Sequence, residues 1–534
     1  MSIDSHSKEN KAYVLNAVLT CLIVIIFTSS VFLTYVGFNN EQNAIKCFAW
    51  GAGSITWLLL TLLCVRNLRV LADTLFSRRL VKCLFVLGTF QALFVLVQFF
   101  GFLPSNHDLL KATGTFENPA GAVSVLALLF PIGIHLLCNS KGAERFGIVT
   151  QLVLYIAAIA VCQSRTGIMA TLVSVSVYIL VGYRKLRRFV ARPQVICCIA
   201  AIGLLGAYTL FRWKVGSSNG RILILLVSLG MIVRKPLFGY GLHGFTANYM
   251  VSQAAYFADN PDSAYGVLAD NIIHPFNEYV NITVNYGITG LTVFIGIWVL
   301  LAVNVVRRQG KGMNLWFAVL TAFAVICAFS YPLHYAHVWF VMLLLAVYSL
   351  RHLIPHERHW AVRIPVILLC LAGLVCLSRV VRNELHWKMV EDKALEGYSY
   401  SMQKYYGKLY PHMKRNHLFL YNYAAEQNIC GLYDESLQTV MESQKKLNDY
   451  DTQLLLADNY ENIGDSAMAV AAYTLAHYMI PNRFAPLYCL MEFYNSCGDS
   501  VKALNYANQI LEKPEKVPSE TINDMKIKAR ELAR

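Results

Sequence analysis

Two arginines and a histidine are the residues of this chain whose types and settings suit bond-making chemistry. Arg165 sits in CQSRTG, directly at the end of an apolar run, and Arg221 in SSNGRILIL, at the start of a long segment between apolar runs. His274 sits in DNIIHPFNEYVNITVNYGITGL, just ahead of another apolar run. Charge at a membrane boundary is costly unless it is paired or functional. A guanidinium stays charged at every relevant pH and meets phosphate oxygens through two parallel hydrogen bonds. Two arginines near a bilayer surface therefore suit a lipid pyrophosphate. A histidine nearby can take a proton from an attacking hydroxyl, an effect of about 10²–10⁴ in rate, while the arginines stabilise charge on the leaving group. Taken singly, each arginine reads equally well as an interfacial anchor, and His274 as a hydrogen-bonded structural histidine. No set of His, Asp or Glu beside them has metal-ligand spacing, so neither metal nor cofactor is expected.

The elements that must hold these residues are membrane spans. The 534 residues are 56% hydrophobic and 15% charged, with a mean hydropathy of +0.45, whereas soluble domains carry about 25% charged residues. A bilayer core needs about 20 apolar residues in a helix. Runs at 13–38, 44–65, 81–102, 119–138, 146–162, 168–182, 194–211, 286–306, 315–330, 338–350 and 364–378 meet or approach that length. The expectation is an all-α polytopic domain of about eleven transmembrane helices over residues 1–380. The first run is a retained anchor, since no small-residue cleavage site follows it. Residues 211–286 interrupt the series as a large outward loop, whose apolar first part reads as a helix lying at the interface.

Basic residues set the orientation. Arg66, Arg69, Arg78, Arg79 and Lys82 share one loop, and Arg184, Lys185, Arg187, Arg188 and Arg192 another. Smaller groups are Lys141 with Arg145, Arg307 with Arg308 and Lys311, and Arg351 with Arg358 and Arg363. All five fall on one side, which the positive-inside rule makes cytoplasmic. The same loops account for most of the net charge of +14, so a nucleic-acid partner is not implied. The amino terminus is then cytoplasmic. The segments PSNHDLLKATGTFENPA, QSRT, 211–286 and YPLHYAH face outward, together with the tail. The cysteines lie mostly inside apolar runs and show no zinc-site spacing.

Residues 381–534 are polar and repetitive. GLYDESL, GDSAMAV and GDSVKAL align on Gly431, Gly464 and Gly498, each followed five residues later by a small residue, Ser436, Ala469 or Ala503. Glycine ends a helix turn, and the small residue lets two helices approach. This period resembles the tetratricopeptide repeat, three copies being about the minimum for a stable stack. Such a domain offers a concave surface for binding a protein partner or a ligand.

The order TGTFENPAG (Thr113–Gly121), SRTG (Ser164–Gly167), Gly220-Arg221, PLFGYGLHGF (Pro236–Phe245) and HPFNEYVNITVNYGITG (His274–Gly290) resembles the O-antigen ligase and Wzy polymerase superfamily over residues 80–350. The resemblance implies a metal-independent membrane glycosyltransferase of the bacterial inner membrane, without cofactor, active in lipopolysaccharide or other glycoconjugate assembly. Its donor would be an undecaprenyl-pyrophosphate-linked glycan. Its acceptor would be lipid A core, a protein hydroxyl or the growing glycan. By that likeness Arg165 and Arg221 bind the pyrophosphate, and the TFENP loop, with Asn118, lines the donor site. The family pattern of His-Asn, nine residues, then Gly-x-x-Gly sets Asn277, Gly287 and Gly290 in register, but Phe276 stands where the histidine belongs. His274, two residues earlier, or Glu278 then takes the role of base. A transporter or flippase of lipid-linked sugars is the competing class. It should carry ionisable residues in mid-span, and these spans have few. A non-catalytic scaffold acting through its repeats is the third.

Overall fold

An apolar run inside a bilayer finds no water for its backbone, so helix is the form open to it. The structure, a computed structural model, describes residues 2–65, 77–213, 215–307, 312–350 and 360–534. Among these residues it is helix and turn without a strand, the all-α class read from the sequence. Arg66, Arg69, Arg308, Lys311, Arg351 and Arg358 of the basic loops lie outside the described residues.

In chain order the helices are α1 (Ser2–Phe32), α2 (Ala44–Cys64), α3 (Arg78–Phe99), α4 (Pro119–Cys138), α5 (Gly142–Val161), α6 (Arg165–Gly182), α7 (Arg184–Val190) and α8 (Pro193–Trp213). Next come α9 (Val215–Arg234), α10 (Gly244–Asp259), α11 (Glu278–Arg307), α12 (Met313–Phe329), α13 (Ala336–Leu350) and α14 (Trp360–Lys393). The tail holds α15 (Ser399–Met413), α16 (His417–Ile429), α17 (Tyr433–Gln444), α18 (Tyr450–Asn462), α19 (Ser466–Met479), α20 (Ala485–Ser496), α21 (Ser500–Glu512) and α22 (Glu520–Leu532). Among the described residues nine helices are long and apolar enough to cross a membrane by length and composition, and α12 and α13 are shorter apolar helices. α9 is among the nine, although the sequence reading laid this stretch at the interface. The chain is a polytopic membrane protein.

The described chain divides into two compact units, Met1–Ala207 with Phe294–Leu385, and Tyr208–Val293 with His386–Arg534. In the first, α4 is the central helix: 78% of its apolar window is buried, against 11% for α2. Small residues let its neighbours α3, α5, α6 and α12 close in. A Cβ on Gly133 would fall 2.5 Å from the Phe85 ring, and one on Gly88 2.8 Å from a Leu129 methyl.

In the second unit α10 packs on α19 around a core that includes Leu223, Met231, Phe245, Tyr249, Phe257, Met479 and Ile480. The tail helices pair as α16 with α17, α18 with α19, and α20 with α21. The three aligned glycines all have positive φ, 75° at Gly431, 84° at Gly464 and 76° at Gly498, the left-handed conformation that ends a helix. After two of them an aspartate restarts it: Asp465 accepts from the Met468 amide and Asp499 from that of Lys502. Ser436, Ala469 and Ala503 are fully buried at the helix crossings. The tail is tied to residues 243–271 of the same unit. The Thr246 hydroxyl donates to the Lys446 carbonyl at 2.6 Å. Asn482 Nδ2 donates to the carbonyls of Gly266 and Ala269, and Asn271 Nδ2 donates to Asp449 at 3.1 Å. Much of the long interruption at 211–286 thus shares its packing with the tail.

Candidate functional site

Two of the sequence motifs are knitted together in the second unit. The stretch 236–241 runs beside 284–289. The amides of Tyr240 and Gly241 donate to the carbonyls of Val284 and Asn285, and those of Ile288 and Thr289 to Pro236 and Leu237. Glycine makes this approach possible. Gly287 takes φ 67° and breaks the helical run inside α11, and a Cβ there would sit 2.1 Å from the Leu237 carbonyl oxygen. Gly239 faces it in the same way, its Cβ position lying 2.5 Å from the Val284 oxygen. Asn285 Oδ1 accepts from the Phe245 amide at 2.9 Å and so starts α10. Asn277 Oδ1 accepts from the Val280 amide, so the asparagine of the family pattern caps α11.

Beside this frame lies a cavity of about 170 Å³ lined by Ser217, Arg221, Gln253, Asp270 and Phe276 among others. Phe276 holds φ 53°, a left-handed conformation that a bulky residue seldom adopts. Its ring lies under the Arg221 guanidinium, 5.3 Å from centroid to carbon. The position that carries histidine in the family pattern therefore carries a cation–π platform. His274, half-buried, and Glu278 stand outside this lining. Glu278 is buried at the first residue of α11, and Oε2 accepts from Asn281 Nδ2 at 3.1 Å.

Arg165 and Asn118 belong to the first unit, where they start neighbouring helices. Asn118 Oδ1 accepts from the Ala120 amide and caps α4. The Ser164 hydroxyl accepts from the Gly167 amide and caps α6, with Arg165 as its first residue. The two starts touch, since a Cβ on Gly167 would lie 2.2 Å from a Val123 methyl. Helix N-termini carry partial positive charge and free amides, a ready setting for an anion. Two further corners meet them. Thr166 Oγ1 donates to the Phe329 carbonyl at the end of α12, and Cys162 Sγ lies 3.8 Å from the Ala112 oxygen.

This corner of the first unit also holds charged groups. Glu117 Oε1 lies 3.8 Å from His334 Nε2. Burial lowers the His334 pKa and the Glu117 carboxylate opposes it. Lys46, at the start of α2, is fully buried. An ionisable residue inside an apolar run is a pointer to function, but a faint one for Lys46, which is only the third residue of its helix. Among the described residues no group of three or more His, Cys, Asp or Glu could hold a metal ion.

Residues 151–295 match the Wzy_C family, described as O-antigen ligase. The match takes in Arg165, Arg221, the 236–245 stretch and the Asn277–Gly290 pattern. No curated protein matches the chain.

Proposed function

We propose that this chain, a polytopic membrane protein with an O-antigen ligase domain over residues 151–295, transfers a glycan from undecaprenyl pyrophosphate to an acceptor hydroxyl on the periplasmic face of the inner membrane. The family supports a ligase- or polymerase-type membrane glycosyltransferase; the donor, the side and the residue roles are our reading. The basic loops assign Asn118, Arg165, Arg221, His274 and the tail to one compartment, where no ATP is at hand and the pyrophosphate leaving group drives the transfer. The acceptor oxygen attacks the anomeric carbon while His274 takes its proton. The bond from that carbon to the pyrophosphate breaks, and the electron pair leaves with undecaprenyl pyrophosphate. Arg165 and Arg221 hold the phosphates and the charge that develops on them, and the TFENP loop with Asn118 lines the donor site. The burial of Glu278 favours His274 as the base. No metal or cofactor enters this scheme.

The observation that carries the reading is the cavity lined by Arg221, whose wall includes Phe276 at the histidine position of the family pattern. The acceptor is lipid A core, a protein Ser or Thr, or the growing glycan. The helical repeats of the tail, tetratricopeptide-like in period, present a protein acceptor or an assembly partner. The test gives the purified protein undecaprenyl-pyrophosphate glycan with each acceptor in turn. Glycan transfer to one of them, with undecaprenyl pyrophosphate released, is the expected result. Neither transfer nor release with any acceptor would overturn the enzyme reading in favour of a transporter of lipid-linked sugars.

A further inference from the structure

A lysine ammonium removed from water loses several kcal/mol of solvation unless other groups replace it. Lys46 is 0% exposed, and most of its replacements come from one segment. Nζ donates to the Thr115 carbonyl at 2.5 Å and to the Gln42 carbonyl in its own turn. It sits 4.5 Å from the centroid of the Phe116 ring, and Glu117 is its charged neighbour. Three successive residues of the TFENP segment thus supply an oxygen, an aromatic face and a counter-charge to a single ammonium.

The rest of the segment is held as firmly. Gln98 Oε1 accepts from the amides of Thr113 and Gly114, and its Nε2 donates to the Gly114 carbonyl. Asn106 Nδ2 donates to the carbonyls of Gly114 and Phe116. The Thr115 hydroxyl donates to the Val31 carbonyl at 2.5 Å. Phe116 is edge-on to Tyr335 at 5.5 Å and to His337 at 5.2 Å. Directly after Phe116 come Glu117, which leans toward His334, and Asn118, which starts α4. One buried polar atom at this spot, His337 Nδ1, has no hydrogen-bond partner among the described residues. The site is polar, rigid and incompletely satisfied by protein groups.

We propose that Lys46 is a positioning residue for the donor: it fixes the backbone at Thr115–Phe116, and through it sets the Glu117 carboxylate and the Asn118 cap where the lipid-linked glycan is held. This rests on the reading of the TFENP loop as part of the donor site. Lys46 lies in α2, outside the residues matched to the family. Its contribution is binding geometry, so its loss falls on the donor and spares the acceptor.

The test uses the full-length protein in proteoliposomes, with undecaprenyl-pyrophosphate glycan as donor, and compares wild type, Lys46→Met and Lys46→Arg. The expected result is a donor KM raised tenfold or more in Lys46→Met, with acceptor KM within twofold of wild type, and partial recovery in Lys46→Arg. Size-exclusion chromatography checks folding. If Lys46→Met aggregates, Lys46→Arg alone decides, with a raised donor KM supporting the proposal and an unchanged one overturning it. Donor KM unchanged in folded Lys46→Met, or donor and acceptor KM rising together, overturns it as well. Wild-type protein that transfers nothing and releases no undecaprenyl pyrophosphate fails at the earlier step, the donor reading itself.

Discussion

The Arg221 guanidinium rests on the face of Phe276, 5.3 Å from the ring centroid. Two motifs separated by 55 residues of sequence meet in that contact, and the meeting requires Phe276 to hold a left-handed backbone. A cation over an aromatic face gains about 0.5–2 kcal/mol, and the planar guanidinium is oriented by it. The ring therefore fixes the direction in which the arginine offers its donors to the cavity.

Substitution of Arg221 should separate charge from geometry. Arg221→Ala is expected to lower transfer by a factor of about 10² or more, the size seen when one donor to a developing negative charge is removed. Arg221→Lys keeps the charge, loses the fork and recovers only part of the rate. Phe276→Leu, which keeps the apolar wall and removes the π face, should raise donor KM by about two- to fivefold, as follows from a loss of 0.5–1 kcal/mol. Steady-state kinetics in detergent or proteoliposomes reads all three. Equal rates for wild type and Arg221→Ala would remove Arg221 from the donor site.

The close approach of 236–241 to 284–289 makes a sharper structural prediction. Gly287→Ala forces a Cβ to within 2.1 Å of a backbone oxygen that cannot swing away, at a residue with φ 67°. Left-handed strain alone is about 1–3 kcal/mol, and the backbone must also separate. A fall in melting temperature of about 4 °C or more is expected for a unit of this size, with Gly239→Ala behaving alike. Gly241→Ala is the control, since a Cβ there meets nothing within 4 Å and only the positive φ of 86° is strained.

The apolar helices were legible because length and hydropathy are properties of a continuous stretch, and three helix ends of the tail were legible because Gly431, Gly464 and Gly498 mark them. The motifs around Arg221 and Gly287 could be recognised as pieces. Their contact could not, since it depends on a left-handed Phe276 and on glycines whose purpose is set by a strand of chain 50 residues away. Lys46 was hidden for a related reason. A lone lysine near the start of an apolar run reads as an interfacial anchor, and only packing turns its side chain inward to Thr115 and Phe116. Residues 211–286 looked like a loop of the membrane domain because they lie between spans. The shared core of Tyr249, Phe257 and Met479 joins them to the tail instead.

Gln253 makes that junction testable. Fully buried, it accepts from the Tyr249 hydroxyl at 2.9 Å and donates to the Met479 carbonyl at 2.7 Å, while also lining the Arg221 cavity. Gln253→Leu strands two buried polar groups, each at about 1–3 kcal/mol. Hydrogen exchange at residues 476–483 should speed up, and transfer activity should fall with it. Faster exchange with unchanged transfer would show that the cavity does not depend on its tie to the tail.

Acid should loosen the tail before it affects anything buried in the membrane. The His417 ring lies 5.9 Å from that of His243. Burial, with His243 and Lys446 adding repulsion and Asp449 opposing, holds the His417 pKa down to about 4. His243 is lowered as well, by burial and then by Lys446. His477, in α19, is lowered to about 4 by burial and Lys513. An unfolded histidine titrates near 6.5. Between about pH 6.5 and 4 the unfolded tail therefore binds more protons than the folded one, and stability rises with pH across that window. The tail should thus be fully stable above pH 7 and lose stability progressively as the pH falls toward 4. Thermal unfolding of the detergent-solubilised protein, followed at pH 7.5, 6.0 and 5.0 by tail-specific hydrogen exchange, measures the slope. His417→Gln, which stays neutral throughout, should flatten it. A slope unchanged by that substitution would move the acid sensitivity to His477 or elsewhere, and His477→Gln in the same assay separates those two cases.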